Sequence, residues 1–259
     1  WLGARPKRNP VELATALAES GLPAESARYF ELALRNGHAS REAMNNYAGV
    51  LLESGDLAKA EKLLAAAMAA EAGSEHEDDV LANLGSLRLR QGRYDEAKPA
   101  FEKVLARSPD DGMALNGLGS VLFAKQDLAG AQERFAAAVR ADPEHVGYRY
   151  NQASALAAAG EFAAALKEFE WVRERQGDSP ALVNNLGILY VETGAVAKGE
   201  AAFKKAMELA PREAGGYINL ATLYQKTGRV AHAREVLGSL LRLVPGQPQA
   251  VQMLGALGR

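Results

Sequence analysis

The sequence predicts an all-α fold, a solenoid of stacked helical hairpins, and three observations predict it. A turn residue recurs as Gly21, Gly55, Gly92, Gln126, Gly160, Gly194 and Gly228, in steps of 34, 37, 34, 34, 34 and 34 residues. Apolar residues flank each turn at helical spacing, as in Met44, Tyr47, Ala48 and Leu51 before Gly55, and Leu57, Ala60, Leu64 and Ala67 after it. Residues at i, i+3, i+4 and i+7 share one face of a helix, so each unit holds two helices. Finally, one column on each helix accepts only small side chains. These are Ala14, Ala48, Gly85, Gly119, Ala153, Gly187 and Ala221 on the first, and Ser26, Ala60, Ala97, Ala131, Ala165, Gly199 and Ala233 on the second. A fixed period of this length marks a repeat architecture.

Each part of the unit has a physical reason. Glycine closes the first helix because the residue after a helix often turns left-handed, which glycine does without steric cost. Gln126 breaks that column, so its turn is expected to be slightly strained or differently closed. The paired small columns mark where two backbones cross closely. Phe30, Leu64, Phe101, Phe135, Phe169, Phe203 and Leu237 fill the space around each crossing. Proline stops the second helix at Pro109, Pro143, Pro211 and Pro245, since it lacks an N–H and its ring clashes with the preceding turn.

The ends and the single insertion are less regular. The first unit carries Pro23 and Ser26 where later units are stricter. The three extra residues lie within 71–79, an acidic stretch containing His76, whose spacing fits no calcium loop or zinc signature. It reads as a solvated loop whose Asp78 and Asp79 favour the start of the next helix through its dipole. From Pro248 the chain begins an eighth unit, and Val251, Leu254 and Leu257 are expected to cover the seventh. The first residue is Trp1 rather than Met, followed by a basic stretch. The expectation is a piece excised from a longer chain; a segment following a removed anchor is the alternative. The compartment is therefore left as cytoplasmic or periplasmic.

A 34-residue period with Leu-Gly before the turn, Gly at it, then Ala, Phe, Ala and Pro resembles the tetratricopeptide repeat. That resemblance spans nearly the whole chain. It implies a right-handed α-α superhelix of seven repeats, near 7–40, 41–77, 78–111, 112–145, 146–179, 180–213 and 214–247, with a partial repeat over 248–259, forming one domain over 1–259. It also implies that the first helix of each repeat lines an inner, concave wall.

Composition excludes several functions. The 259 residues carry a net charge of −2, which argues against a protein built to grip phosphate backbones. There is no cysteine, hence no disulfide, thiolate metal site or cysteine nucleophile. No uninterrupted apolar run reaches the length of a membrane span. His38, His76, His145 and His232 have no partner at metal-ligand spacing, and the glycines belong to the repeat columns. We therefore expect no catalytic residue, no metal and no cofactor, and a protein or peptide as partner. The alanine-rich composition points to a bacterial source.

One polar column is not explained by packing. Asn46, Asn83, Asn151, Asn185 and Asn219 precede the Leu-Gly step; Asn116 stands beside Gly117 in the fourth unit, and Asn45 and Asn184 double the feature. Asparagine offers both donor and acceptor, so a ladder of such amides can serve the backbone of an extended peptide. The pattern resembles the asparagine ladder of the superhelical domain of O-GlcNAc transferases. The competing reading, left open, is that these amides bond the neighbouring repeat. Thr15, Ser86, Ser120, Ser154 and Thr222 supply small hydroxyls on the same face, and Met113, Phe123, Tyr148 and Tyr150 supply apolar area. Asn46, Asn83, Asn116, Asn151, Asn184, Asn185, Asn219, Met113, Phe123 and Tyr150 are the candidate binding residues. The basic clamp of chaperone-binding members is not reproduced, since Val11, Asn45 and Ala82 stand in its places. Two rival functions stay open: self-assembly through terminal helices, and substrate docking within a larger enzyme.

Overall fold

The computed structural model describes residues 9–70 and 76–258. Among them are fifteen α-helices and no strand, and the chain divides into two compact units between Asp142 and Pro143. The first unit contains α1 (Pro10–Glu19) with α2 (Pro23–Arg35), α3 (Arg41–Ser54) with α4 (Leu57–Ala69), α5 (Glu77–Arg90) with α6 (Tyr94–Arg107), and α7 (Gly112–Ala124) with α8 (Leu128–Ala141). The second contains α9 (Val146–Ala158) with α10 (Phe162–Gln176), α11 (Pro180–Glu192) with α12 (Val196–Leu209), α13 (Ala214–Lys226) with α14 (Val230–Leu243), and α15 (Pro248–Leu257). Within each unit, the two helices of a hairpin pack together, and the second of them packs on the first helix of the next repeat.

Short polar side chains start many of these helices. Ser40, Asp111 and Ser179 accept the N–H groups of Ala43, Ala114 and Leu182 at 3.1, 2.7 and 3.3 Å. Asp56 and Asp127 do the same for the second helices α4 and α8. These bonds satisfy amides that have no partner inside the helix. The turn after α7 explains the break in the glycine column: Gln126 adopts φ 65°, a left-handed conformation otherwise taken at these turns by glycine.

The small columns are the crossing points. Ala14, Ala48, Ala153 and Ala221 on first helices, and Ala60, Ala97, Ala131, Ala165 and Ala233 on second helices, have no exposed surface. Ser26 is equally buried, and its hydroxyl donates to the Ala14 carbonyl at 2.8 Å, so the irregular first hairpin is bonded at its crossing. The aromatic column fills the remaining space, with Phe30, Phe101, Phe135, Phe169 and Phe203 at most 2% exposed.

Two regions refine the sequence reading. Residues 71–75 of the insertion lie outside the described set, while Glu77, Asp78 and Asp79 form the acidic first turn of α5, with Asp78 bonded to Arg107 at 2.8 Å. On α15 the covering face is shifted from expectation. Ala250 is buried, and Met253, Leu254 and Leu257 pack against the cluster of Phe203, Tyr217, Leu220, Leu237 and Leu240. Val251 stands 51% exposed, because a helix starting at Pro248 turns the 250/253/254/257 stripe inward and leaves 251 beside it.

A candidate binding face on the first helices

The asparagine column forms hydrogen-bonded rungs between successive repeats. In the first unit, Asn83 on α5 donates its Nδ2 to Asn45 Oδ1 on α3 at 2.9 Å. In the second, Asn185 on α11 donates to the Tyr150 hydroxyl on α9 at 3.0 Å, and Asn219 on α13 donates to Asn184 Oδ1 at 2.9 Å. The register is constant. The donor stands nine residues before its turn, and the acceptor stands ten before the preceding one. Asn151 occupies the donor column and Asn116 the acceptor column, both half-buried.

Two missing rungs have apolar or small residues in both columns, whereas between the first and second repeats Asn46 stands in the donor column with Val11 in the acceptor column. Gly117 stands in the donor column of the fourth repeat and Ala82 in the acceptor column of the third. A Cβ on Gly117 would collide with the Phe101 ring, so that ring takes the space a rung would need. Beyond the seventh repeat, Ile218 and Met253 stand in these columns and share one apolar cluster. The amides therefore do bond neighbouring repeats. Each donor spends one amide hydrogen, and the carbonyl oxygens of Asn83, Asn185 and Asn219 have no partner among the described residues.

The other predicted residues divide by environment. Asn45 is the one fully buried member at 6% exposure, while Asn46 is half-buried on α3. Met113 is 48% exposed on α7 and Phe123 half-buried on the same helix. Tyr150 is a rung acceptor set edge-on to Phe169 at 5.1 Å, and burial pushes its phenol above the ordinary value. The hydroxyls of Ser86, Ser120, Ser154 and Thr222 donate to carbonyls four residues back, at 2.8–3.0 Å. Their hydrogens are thus spent within their own helices, and their contribution to the face is room and lone pairs.

Three hollows lie along this face in the second unit. One is lined by Ser154, Ala157, Phe169, Asn185, Ile188 and Leu189. A second continues from Ile188 to Asn219, Thr222 and Leu223, with Glu192 and Lys226 also in its lining. The third lies toward the starts of α11 and α13, between Tyr150, Asn184, Asn185, Glu213 and the Gly215–Gly216 backbone.

A separate set of ties was not evident from the sequence. Tyr47, Tyr190 and Tyr224 donate their hydroxyls to Glu31, Glu170 and Glu200 on the preceding second helix at 3.0, 2.8 and 2.8 Å. Lys59 completes the first, bonding the same Glu31 oxygen and lying 5.0 Å from the Tyr47 ring centroid. Around Glu200, Lys204 and then Arg229 and Tyr224 hold the carboxyl down at about 2. The spacing from Glu to Tyr varies between repeats, so periodicity alone does not reveal these pairs.

Fold and face define a helical-repeat scaffold, with successive repeats inside each unit joined by polar rungs on the first helices. Tetratricopeptide repeat profiles match residues 39–110, 83–146, 125–169, 150–214 and 190–257, and the chain belongs to the tetratricopeptide repeat family. It is 25% identical over 187 residues to cellulose synthase 2 operon protein C of Komagataeibacter xylinus, covering 66% of this chain and 14% of that protein. The chain spans between 11% and 19% of the length of the curated relatives it matches. Among solved structures, the APC/C hetero-tetramer Cut9–Hcn1 superimposes with a TM-score of 0.72 at 16% identity, over 91% of this chain and 46% of that one. YrrB, described as a tetratricopeptide repeat protein with an unusual peptide-binding site, gives 0.60 at 18% identity, over 73% and 96%. No described helix is long and apolar enough to cross a membrane.

Proposed function

We propose that this chain is a non-enzymatic interaction scaffold that takes an extended segment of a protein partner along its first-helix face. One observation carries the reading. The rungs leave amide carbonyl oxygens without protein partners beside hollows lined by aliphatic residues, which suits a polypeptide's N–H groups and side chains. A preformed helical face orders little on binding, so the cost falls mainly on the partner segment. The peptide-binding description of YrrB supports the same use of the fold. The balanced charge of the chain keeps nucleic acid outside the reading.

The test is site-specific photocrosslinking from benzoylphenylalanine at Ser154 or Ile188 on the first-helix face, compared with Lys167 or Lys205 on second helices. The expected result is a protein partner captured from the first pair and not from the second. Capture only from the second pair would overturn the reading. Capture of another copy of this chain, with a mass that rises with concentration, would replace it with self-assembly.

The relatives' names favour a narrower second reading, in which the scaffold serves a polysaccharide-synthesising assembly of the kind named in cellulose synthase operons. In that case, the captured partner should be a component of such an assembly.

A further inference from the structure

Two of the hollows are one site moved by a single repeat. Adding 34 to Ser154, Ala157, Phe169, Asn185, Ile188 and Leu189 gives Ile188, Val191, Phe203, Asn219, Thr222 and Leu223, and every one lines the second hollow. Ile188 is the wall between them and is 38% exposed. The aromatic floors, Phe169 and Phe203, are 1% and 2% exposed, so both hollows rest on packed core. An asparagine with an unpartnered carbonyl oxygen sits in each lining.

Charge and spacing narrow the occupant. The first hollow is lined by no charged side chain, and the lining of the second has one of each sign, Glu192 and Lys226, which leaves it without net charge. Their complement is an uncharged aliphatic group beside a hydrogen-bond donor. Packed helices lie about 8–10 Å apart, which sets the scale of the step between equivalent hollows. A β-strand does not fit, because it advances about 3.3 Å per residue and residues three apart face opposite sides. A polyproline-II segment has three residues per turn and about 3.1 Å of rise, so residues i and i+3 face the same side about 9.3 Å apart. Its backbone N–H groups make no internal bonds and stay available to the asparagines.

Resting on the function proposed above, we propose that the second unit reads a partner segment in polyproline-II conformation with uncharged aliphatic or proline side chains at positions i and i+3, one in each hollow. The experiment is selection of a displayed random decapeptide library on the whole chain, followed by fluorescence polarisation of the enriched peptides. The expected consensus has two aliphatic or proline positions three apart and little net charge, and inserting one glycine between them should weaken binding about tenfold or more, the scale of a lost hydrophobic pocket contact. Selection on Ser154→Phe should lose the preference at one position and on Thr222→Phe at the other. Far-ultraviolet circular dichroism confirms that both variants fold.

Peptides that are sensitive to both substitutions but lack the three-residue spacing would overturn the register while leaving the face as the binding surface. Peptides insensitive to both would overturn the face as well. Failure to enrich any peptide, or binding of cellohexaose blocked by the same substitutions, would overturn the peptide assignment.

Discussion

Gly187 and Gly199 meet where α11 crosses α12, so closely that a Cβ placed on Gly199 would stand 2.9 Å from the Gly187 carbonyl oxygen and 2.5 Å from a Val191 methyl. The backbone oxygen cannot move aside as a side chain can. Gly199→Ala should therefore destabilise the protein by about 1–3 kcal/mol through overpacking, outweighing the roughly 1 kcal/mol that alanine gains in a helix. On α15, Gly255 has nothing within 4 Å of its virtual Cβ. Gly255→Ala should accordingly stabilise by about 0.5–1 kcal/mol. Urea unfolding of both variants checks the pair, and equal signs would contradict the packing described.

The Asn83–Asn45 rung should be measurable as a coupling. Asn83→Ala leaves the buried Asn45 without its donor, at a cost of about 1–3 kcal/mol. With Asn45→Ala already present, the same change should cost clearly less. Asn46→Ala, one residue outside the rung, should stay within about 0.5 kcal/mol. A double-mutant cycle by chemical denaturation decides it, and additive effects would remove the rung's structural role.

The turn at Gln126 stores conformational strain that glycine would relieve. Gln126→Gly should raise stability by about 1 kcal/mol, the scale of a left-handed residue with a side chain. Gly160→Gln, at the equivalent turn with φ 82°, should lower it by a similar amount. Thermal melts of the two variants moving in the same direction would refute this account.

Acid sensitivity should trace in part to Glu200. Its bonds to Lys204, Arg229 and Tyr224 hold the carboxyl at about 2 rather than its ordinary 4.5. A carboxyl depressed in the folded state stabilises above the unfolded value and loses that contribution as pH falls from about 4.5 toward about 2. The side chain is 21% exposed and its lysine partner 53%, so water screens the network and about 1 kcal/mol is expected. Glu200→Gln should flatten the stability profile across that window and lower stability at neutral pH. Identical profiles for both proteins would rule the network out as the source.

Much of the fold was legible because the repeat writes the same constraint many times. Glycine or glutamine at the turn, alanine or glycine at the crossing and proline after the second helix each recur at one spacing, and the helices start and stop around them. The rungs were only half legible. The donor column is nearly uniform, but the acceptor column changes among Asn45, Tyr150 and Asn184, so what matters is a pairing between repeats rather than one residue type. Tyr150 reads from sequence as apolar area for a ligand, yet its hydroxyl is an acceptor in the array. The tyrosine–glutamate ties escaped altogether, since Glu31 and Glu170 share a column that Glu200 leaves, while Tyr190 and Tyr224 share one that Tyr47 leaves, so no pair repeats at one spacing.

The matched columns also make the order of the units chemical information. Exchanging the third and seventh first helices would bring Ile218 opposite Gly117 and Ala82 opposite Met253, two pairings that demand no amide. Moving the second repeat's first helix, α3, ahead of the fourth repeat would instead set the Asn45 carbonyl against the hydrogen of Gly117 and leave it without a donor. Shuffled arrays built from these same modules would thus sort into tolerated and frustrated sequences, even though every module keeps its own fold.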